Sequence, residues 1–181
     1  YVDYTDRGTC VIFGDGAGAA VLGPVPEGKG ILATKIKSDG RYEEQLYAPG
    51  GGTKLGTTHK TIDDREHFFK MKGNELFKVA VRSMADISAE MVAKAGYTVE
   101  DIDLVVPHQA NQRITDAVAS RLGVPEEKVY SNIAEMGNTS SASIPIALDE
   151  CIQSGKIKDG SLVLLTAFGG GVTWGGTVVR F

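Results

Sequence analysis

The clearest rhythm of apolar and polar positions lies in residues 74–95. Phe77, Ala80, Val81, Met84, Ile87, Met91 and Ala95 recur there at three- and four-residue steps. That spacing predicts a helix with one buried stripe, with Asn74 as its candidate cap and Gly96 as its stop. Ile114, Ala117, Val118 and Leu122, closed by Gly123 with Pro125 beyond, predict a second helix. Ile144, Ala147, Leu148, Cys151 and Ile152 predict a third, ended by Gly155 and tolerant of Pro145 near its first turn. Short continuous apolar runs predict strands at 9–13, 30–36, 104–106, 129–133, 161–168 and 173–181. Pro107 has no N–H for a ladder, so the strand at 104–106 should stop there. From 38 to 72 the chain turns polar and glycine-rich with no clear period, which predicts a long loop. The alternation of helices and strands is that of a mostly parallel α/β sheet with an antiparallel edge.

Two features of the first third need separate readings. Gly14-Asp15-Gly16-Ala17-Gly18-Ala19 matches a dinucleotide-binding fingerprint on paper, which requires a helix to follow. Ala20, Val21 and Leu22 instead run straight into Gly23-Pro24, leaving no room for one. A strand, a tight glycine turn and a second strand returning beside it are expected in its place. His59 and His67 are eight residues apart with no third ligand placed beside them, so no metal site is expected.

Composition narrows the picture. With 181 residues, 42% apolar and 23% charged, the chain is long enough for a sizeable core and ordinary for a soluble globular protein. A net charge of −4 argues against a nucleic-acid binder. No apolar run reaches the roughly eighteen residues of a membrane span, and no secretory signal precedes the first strand. Cys10 and Cys151, both in apolar settings, suggest a reducing cytoplasm. The chain starts at Tyr1, with a strand-like run within ten residues, and is expected to be a piece of something longer.

The candidate chemistry sits at strand ends. His108 follows the strand at 104–106, where ligands bind in open α/β sheets. Asn138 follows Gly137 and precedes a helix, which alone reads as a cap or turn residue. It also occupies the equivalent place after the next strand, so adjacent parallel strands would bring the two side chains together. A neutral imidazole N–H and a carboxamide N–H aimed at one point form a two-donor oxyanion site. Such a pair holds an enolate beside a thioester carbonyl without acting as a strong base, which suits decarboxylation better than hydrolysis. The Asn138-Thr139-Ser140 sequon also matches a glycosylation acceptor, discounted without a secretory signal.

Pro107-His108-Gln109-Ala110-Asn111, Gly137-Asn138-Thr139-Ser140 and Ala167-Phe168-Gly169-Gly170-Gly171-Val172-Thr173-Trp174-Gly175 occur in that order. Together with Thr5-Asp6-Arg7-Gly8, the run at 14–19 and Met71 to Phe77, they resemble β-ketoacyl-acyl carrier protein synthase III. The resemblance covers essentially the whole chain and is weakest at 41–70. It implies a thiolase-like α/β fold, with a mostly parallel five-stranded sheet and helices on both faces. Residues 1–38 would be the final strands of an N-terminal half and the crossover, 39–72 a long loop region, and 73–181 the C-terminal half.

In that family a Cys takes a short acyl group from coenzyme A. A His and an Asn then promote decarboxylation of malonyl-carrier protein, and the carbanion attacks the acyl thioester. The resemblance gives the His and Asn roles to His108 and Asn138, an oxyanion-hole N–H to Gly170, and site lining to Phe168. Asn111, Gly73 and Phe77 would lie along the pantetheine tunnel, with coenzyme A thioester as substrate and no bound cofactor. Arg113, and less directly Arg121, would meet the acidic carrier protein. The nucleophile is missing: Cys10 precedes a β-run, and Cys151 lies on a buried stripe near a helix end. The Cys would belong to an absent N-terminal half, so the chain alone should be inactive, and the intact enzyme should be a cytoplasmic homodimer. Two other readings fit the motifs, a sister polyketide- or alkylquinolone-type synthase and a non-catalytic domain binding coenzyme A or carrier protein.

Overall fold

The computed structural model describes residues 1–181. Strands and helices run in the order β1 (Gly30–Ser38), β2 (Leu46–Tyr47), α1 (His59–Asp63), β3 (Lys70–Met71) and α2 (Gly73–Lys94). There follow β4 (Leu104–Pro107), α3 (Gln112–Leu122), α4 (Ile133–Met136), α5 (Ser143–Gln153), β5 (Leu162–Gly169) and β6 (Thr173–Arg180). The main sheet has the order β1-β6-β5-β4, and β2 and β3 form a separate antiparallel pair.

Period-two alternation in the central strands builds a three-layer sandwich. Val105 of β4 with Leu162 and Leu164 of β5 face one side, where Ile87, Met91 and Val92 of α2 cover them. Leu104, Val106 and Val163 face the other side and meet Ala147 and Cys151 of α5. Met84, Ile87 and Met91 are essentially inaccessible to water, and each such side chain contributes about 1.5–3 kcal/mol of transfer free energy. Further along α2, Leu76, Ala80 and Met84 pack with Val118 of α3 and Phe168 of β5. One long helix thus spans from the sheet's centre to its carboxyl end. Gly96, Gly123 and Gly155, expected to stop the three main helices, all have positive φ (84°, 74° and 70°). Asn74 is not the cap of α2. The helix starts one residue earlier, and Lys72 at the cap position makes no side-chain capping bond.

The sheet departs from expectation in strand number and direction. It has four strands, not five; β4–β5 is parallel, while β5–β6 and β1–β6 are antiparallel. The expected strand at 129–133 is reduced to one parallel bridge between Val129 and Val105. Its ladder is taken over by a side chain. Gln109 Nε2 donates to the Tyr130 carbonyl at 3.2 Å, and Gln109 Oε1 accepts from the Asn132 N–H at 3.2 Å. The chain then coils into α4.

Residues 9–22 do not form the expected strand–turn–strand unit either. Residues 7–12 are consecutive turns, Phe13 makes a single parallel bridge to Asn138, and residues 14–26 have no regular structure. An apolar run becomes a strand only where an edge pairs with it, and Val21 and Leu22 have none; both are exposed. The glycines serve close approach, not a turn. A Cβ at Gly14 would stand 2.2 Å from the Met136 carbonyl, and one at Gly18 would stand 2.6 Å from Pro145.

The loop expected at 39–72 is tied down at both ends by the Leu46–Met71 and Tyr47–Lys70 pairs. It carries a 3₁₀ segment (Gly40–Gln45) and α1, capped by Thr58. Residues 30–38, grouped by sequence with the N-terminal segment, form the edge strand beside β6. No helix is long and apolar enough to cross a membrane.

Candidate active site

Four segments converge where β4 and β5 end: the start of α2, the 108–114 stretch, the 138–144 stretch, and the β5–β6 turn. They enclose a cleft of about 1190 Å³, above the roughly 300–1,000 Å³ usual for small-molecule sites. His108, Asn138, Phe168, Gly170, Asn111, Gly73, Phe77 and Arg113 all line it. No Asp or Glu does; its only charged groups are Lys78 and Arg113.

His108 is the first residue beyond β4. Its N–H donates to the Thr166 carbonyl at 2.8 Å, extending the β4–β5 ladder by one step. The imidazole is partly covered, and its Nδ1 lies 2.7 Å from Ser143 Oγ at the start of α5. Burial holds its pKa down at about 4, so the ring is neutral at pH 7. Nε2 has no protein partner.

Asn138 reaches the same cleft by another route. It does not end a strand of the main sheet, because α4 and Gly137 intervene. Its N–H donates to the Ile12 carbonyl at 2.9 Å, and its carbonyl accepts from Gly14 N–H at 2.9 Å. Its Oδ1 accepts from Ser140 N–H at 2.9 Å, which fixes the carboxamide orientation and leaves the NH₂ without a protein partner. Both residues line one cleft, but Asn138 is held there through the 12–14 segment and not by a neighbouring strand end.

The remaining predicted residues sort by position. Phe168, buried near the end of β5, forms the floor with Met84 and Leu76. Gly170 lies exposed in the turn after β5, and a Cβ there would approach the Leu46 carbonyl to 2.9 Å. Asn111 caps α3, its Oδ1 accepting from Arg113 N–H at 2.9 Å. Gly73 begins α2, exposed, with Phe77 one turn on. The Arg113 guanidinium sits 5.6 Å from the centre of the Phe77 ring, a cation–π contact at the cleft edge. Arg121 lies outside the cleft and pairs with Asp86 of α2 at 3.2 Å.

Neither cysteine lines the cleft. Cys10 lies in the turns at 7–12 and not before a strand. Cys151 is fully buried, and burial pushes its thiol up to about 11. No three His, Cys, Asp or Glu side chains gather as a metal site.

Two buried residues escaped the sequence reading. Gln109, 1% exposed, staples the 107–109 turn to the 130–132 segment. That segment is braced in turn by Tyr130 and Asn132, which both donate to the Glu150 carboxylate. Ser143, 2% exposed, meets His108 from 35 residues away. No local signal marks either contact.

Residues 92–181 match the family model for the 3-oxoacyl-[acyl-carrier-protein] synthase III C terminal, and residues 1–40 match the 3-oxoacyl-[acyl-carrier-protein] synthase III model. This chain belongs to the synthase III family. The β-ketoacyl-[acyl-carrier-protein] synthase III of Natranaerobius thermophilus is 50% identical over 99% of this chain and 56% of its own length. That of Clostridioides difficile is 50% identical over 100% of this chain and 55% of its own. The crystal structure of the Aquifex aeolicus synthase III superposes with a TM-score of 0.89 at 49% identity, covering 99% of this chain and 54% of that one. The chain spans about half the length of the curated relatives it matches and corresponds to the C-terminal portion of a thiolase-fold synthase III.

Proposed function

We propose that this chain supplies the decarboxylation site of a synthase III, completed by an N-terminal half that carries the nucleophilic Cys. The observation that carries the reading is the state of the two donors. His108 and Asn138 line one cleft, each with its other polar atom engaged by protein, which leaves the His108 Nε2 and the Asn138 NH₂ without protein partners. With malonyl-carrier protein bound, both would donate to the thioester oxygen. The bond to the terminal carboxylate breaks, CO₂ departs, and its electron pair becomes the enolate that the donors hold. The enolate carbon attacks the acyl thioester on the Cys, the thiolate leaves, and a 3-oxoacyl-carrier protein results.

The rest of the cleft fits this substrate. Asn111, Gly73 and Phe77 would flank the pantetheine arm, and Gly170 would offer its N–H to the acyl oxyanion beside Phe168. Arg113 at the mouth, with Arg121 on the same helix, would draw an acidic carrier protein. The acyl donor is a short coenzyme A thioester, the intact enzyme a homodimer, and the setting the cytoplasm, where the free thiols of Cys10 and Cys151 stay reduced.

The test uses the intact protein, with the Cys-bearing half present. His108→Ala and Asn138→Ala should each slow CO₂ release from malonyl-carrier protein by about 10²–10³, the usual cost of one oxyanion donor. Acyl transfer from coenzyme A should fall much less. Equal losses in both steps would refute the assignment.

A further inference from the structure

We propose that Ser143 is a positioning residue that locks His108 in the Nε2–H tautomer, so that the ring offers the cleft a donor and never a lone pair. The inference deepens the decarboxylation reading and rests on it for its catalytic consequence.

Ser143 Oγ has two side-chain partners: the Gln109 backbone N–H at 3.2 Å and His108 Nδ1 at 2.7 Å. The Gln109 group can only donate, so Oγ accepts there. The single hydroxyl hydrogen then has one acceptor available, His108 Nδ1. A ring that accepts at Nδ1 carries its proton on Nε2, the nitrogen without a protein partner. The opposite tautomer would aim two N–H groups at Oγ and leave a buried hydroxyl hydrogen with nowhere to go.

The surroundings hold this arrangement in place. Ser143 is 2% exposed, which removes competing water, and it is the first residue of α5, whose far turns are anchored in the core by Ala147 and Cys151. On the other side the His108 backbone is held by the Thr166 carbonyl, and Gln109, itself 1% exposed, is stapled through its side chain. Both partners therefore sit on rigid supports. Burial keeps the ring neutral, so the choice between tautomers is the one that matters near pH 7.

The experiment reads the tautomer directly, by long-range ¹H–¹⁵N correlation on intact protein labelled at histidine nitrogen, with His108 assigned by loss of its signals in His108→Gln. Wild type should show His108 protonated at Nε2 alone. Ser143→Ala should shift the ring toward Nδ1–H and cut kcat for malonyl-carrier-protein decarboxylation by about 10–100-fold, as for other partners that fix a functional imidazole. KM for the carrier protein should stay unchanged, and Ser143→Thr, which keeps the hydroxyl, should restore both tautomer and rate. Nδ1–H in wild type, or a pure Nε2–H pattern surviving in Ser143→Ala, would overturn the proposal. The spectrum needs no turnover. Wild-type protein with Nε2–H and no decarboxylation would uphold the lock while removing the function built on it.

Discussion

Acidification from pH 7 to pH 5 should destabilise the protein through His108. A histidine in an unfolded chain titrates near 6.5, and the folded imidazole is held at about 4 by burial. Between those values the unfolded chain binds a proton that the native state refuses, so stability rises with pH across the window and falls on acidification. The two pKa values give a loss of about 2 kcal/mol between pH 7 and 5, approaching about 3 kcal/mol below pH 4. Other shifted groups act elsewhere. The Lys35 and Lys37 ammonium groups hold Glu90 at about 2, Arg41 holds Asp39 at about 2, and Arg65 drives Asp3 lower still. Their contributions are lost only as pH falls below the ordinary carboxylate range. Cys151 and Tyr130, pushed up to about 11 and about 12 chiefly by burial, act in alkali. Urea unfolding of wild type and His108→Gln at both pH values isolates the effect, because His59 and His67 are common to both. Wild type should lose about 2 kcal/mol more than the variant. Equal losses would show that His108 titrates normally in the fold, and the claim of a neutral, desolvated imidazole would fall.

Two further outcomes follow from the cleft and its supports. Arg113→Glu should raise KM for malonyl-carrier protein about tenfold at low salt, and less at high salt, while sparing decarboxylation of free malonyl-CoA. An unchanged carrier KM would remove Arg113 from the docking surface. Gly14→Ala places a Cβ 2.2 Å from the Met136 carbonyl, a backbone atom that cannot swing aside, and should cost about 1–3 kcal/mol in thermal unfolding. Gly23→Ala, with nothing within 4 Å of its Cβ, should melt like wild type, and equal effects at both glycines would refute the close-approach account.

What was legible in the sequence was whatever a local period encodes. The stripe from Ala80 to Met91 lies on the face of α2 turned to the sheet and α3, and three glycines end three helices as their positions suggest. Thiolase-fold membership was legible from separated motifs, the strands at 162–169 and 173–180 from unbroken runs. Non-local replacements were not. The apolar run at 129–133 reads as a strand, yet Gln109, twenty residues earlier, supplies the hydrogen bonds that a neighbouring strand would have made. Val21 and Leu22 advertise a wish to pair but not whether a partner edge lies within this chain. Leu46 and Met71 meet across a stretch without period, and Ser143 meets His108 across two helices. In each case the deciding contact is between residues whose separation no window of sequence spans.

The geometry of the donors bears on which reaction the cleft favours. Hydrolysis of a thioester needs a base to take a proton from water. Here the one imidazole is desolvated to a pKa of about 4, and no carboxylate lines the wall. A thioester oxygen held between His108 and Asn138, as proposed, would therefore be polarised with little driving force for water attack. Loss of CO₂ asks for nothing that these residues lack, because the departing bond supplies its own electron pair and needs no proton transfer. Charge develops on the oxygen that the donors face. In the proposed reading the substrate carboxylate would find apolar wall such as Phe168 and Met84 in the cleft, and no cation beyond Lys78 and Arg113. The cations, Lys78 and Arg113, come from the start of α2 and the first turn of α3, on the elements that also carry Gly73, Phe77 and Asn111. The cleft thus sets positive charge on the elements that would face an acidic carrier and leaves the proposed reacting end without a charged group, the division of labour expected of the proposed decarboxylative condensation and not of a hydrolase.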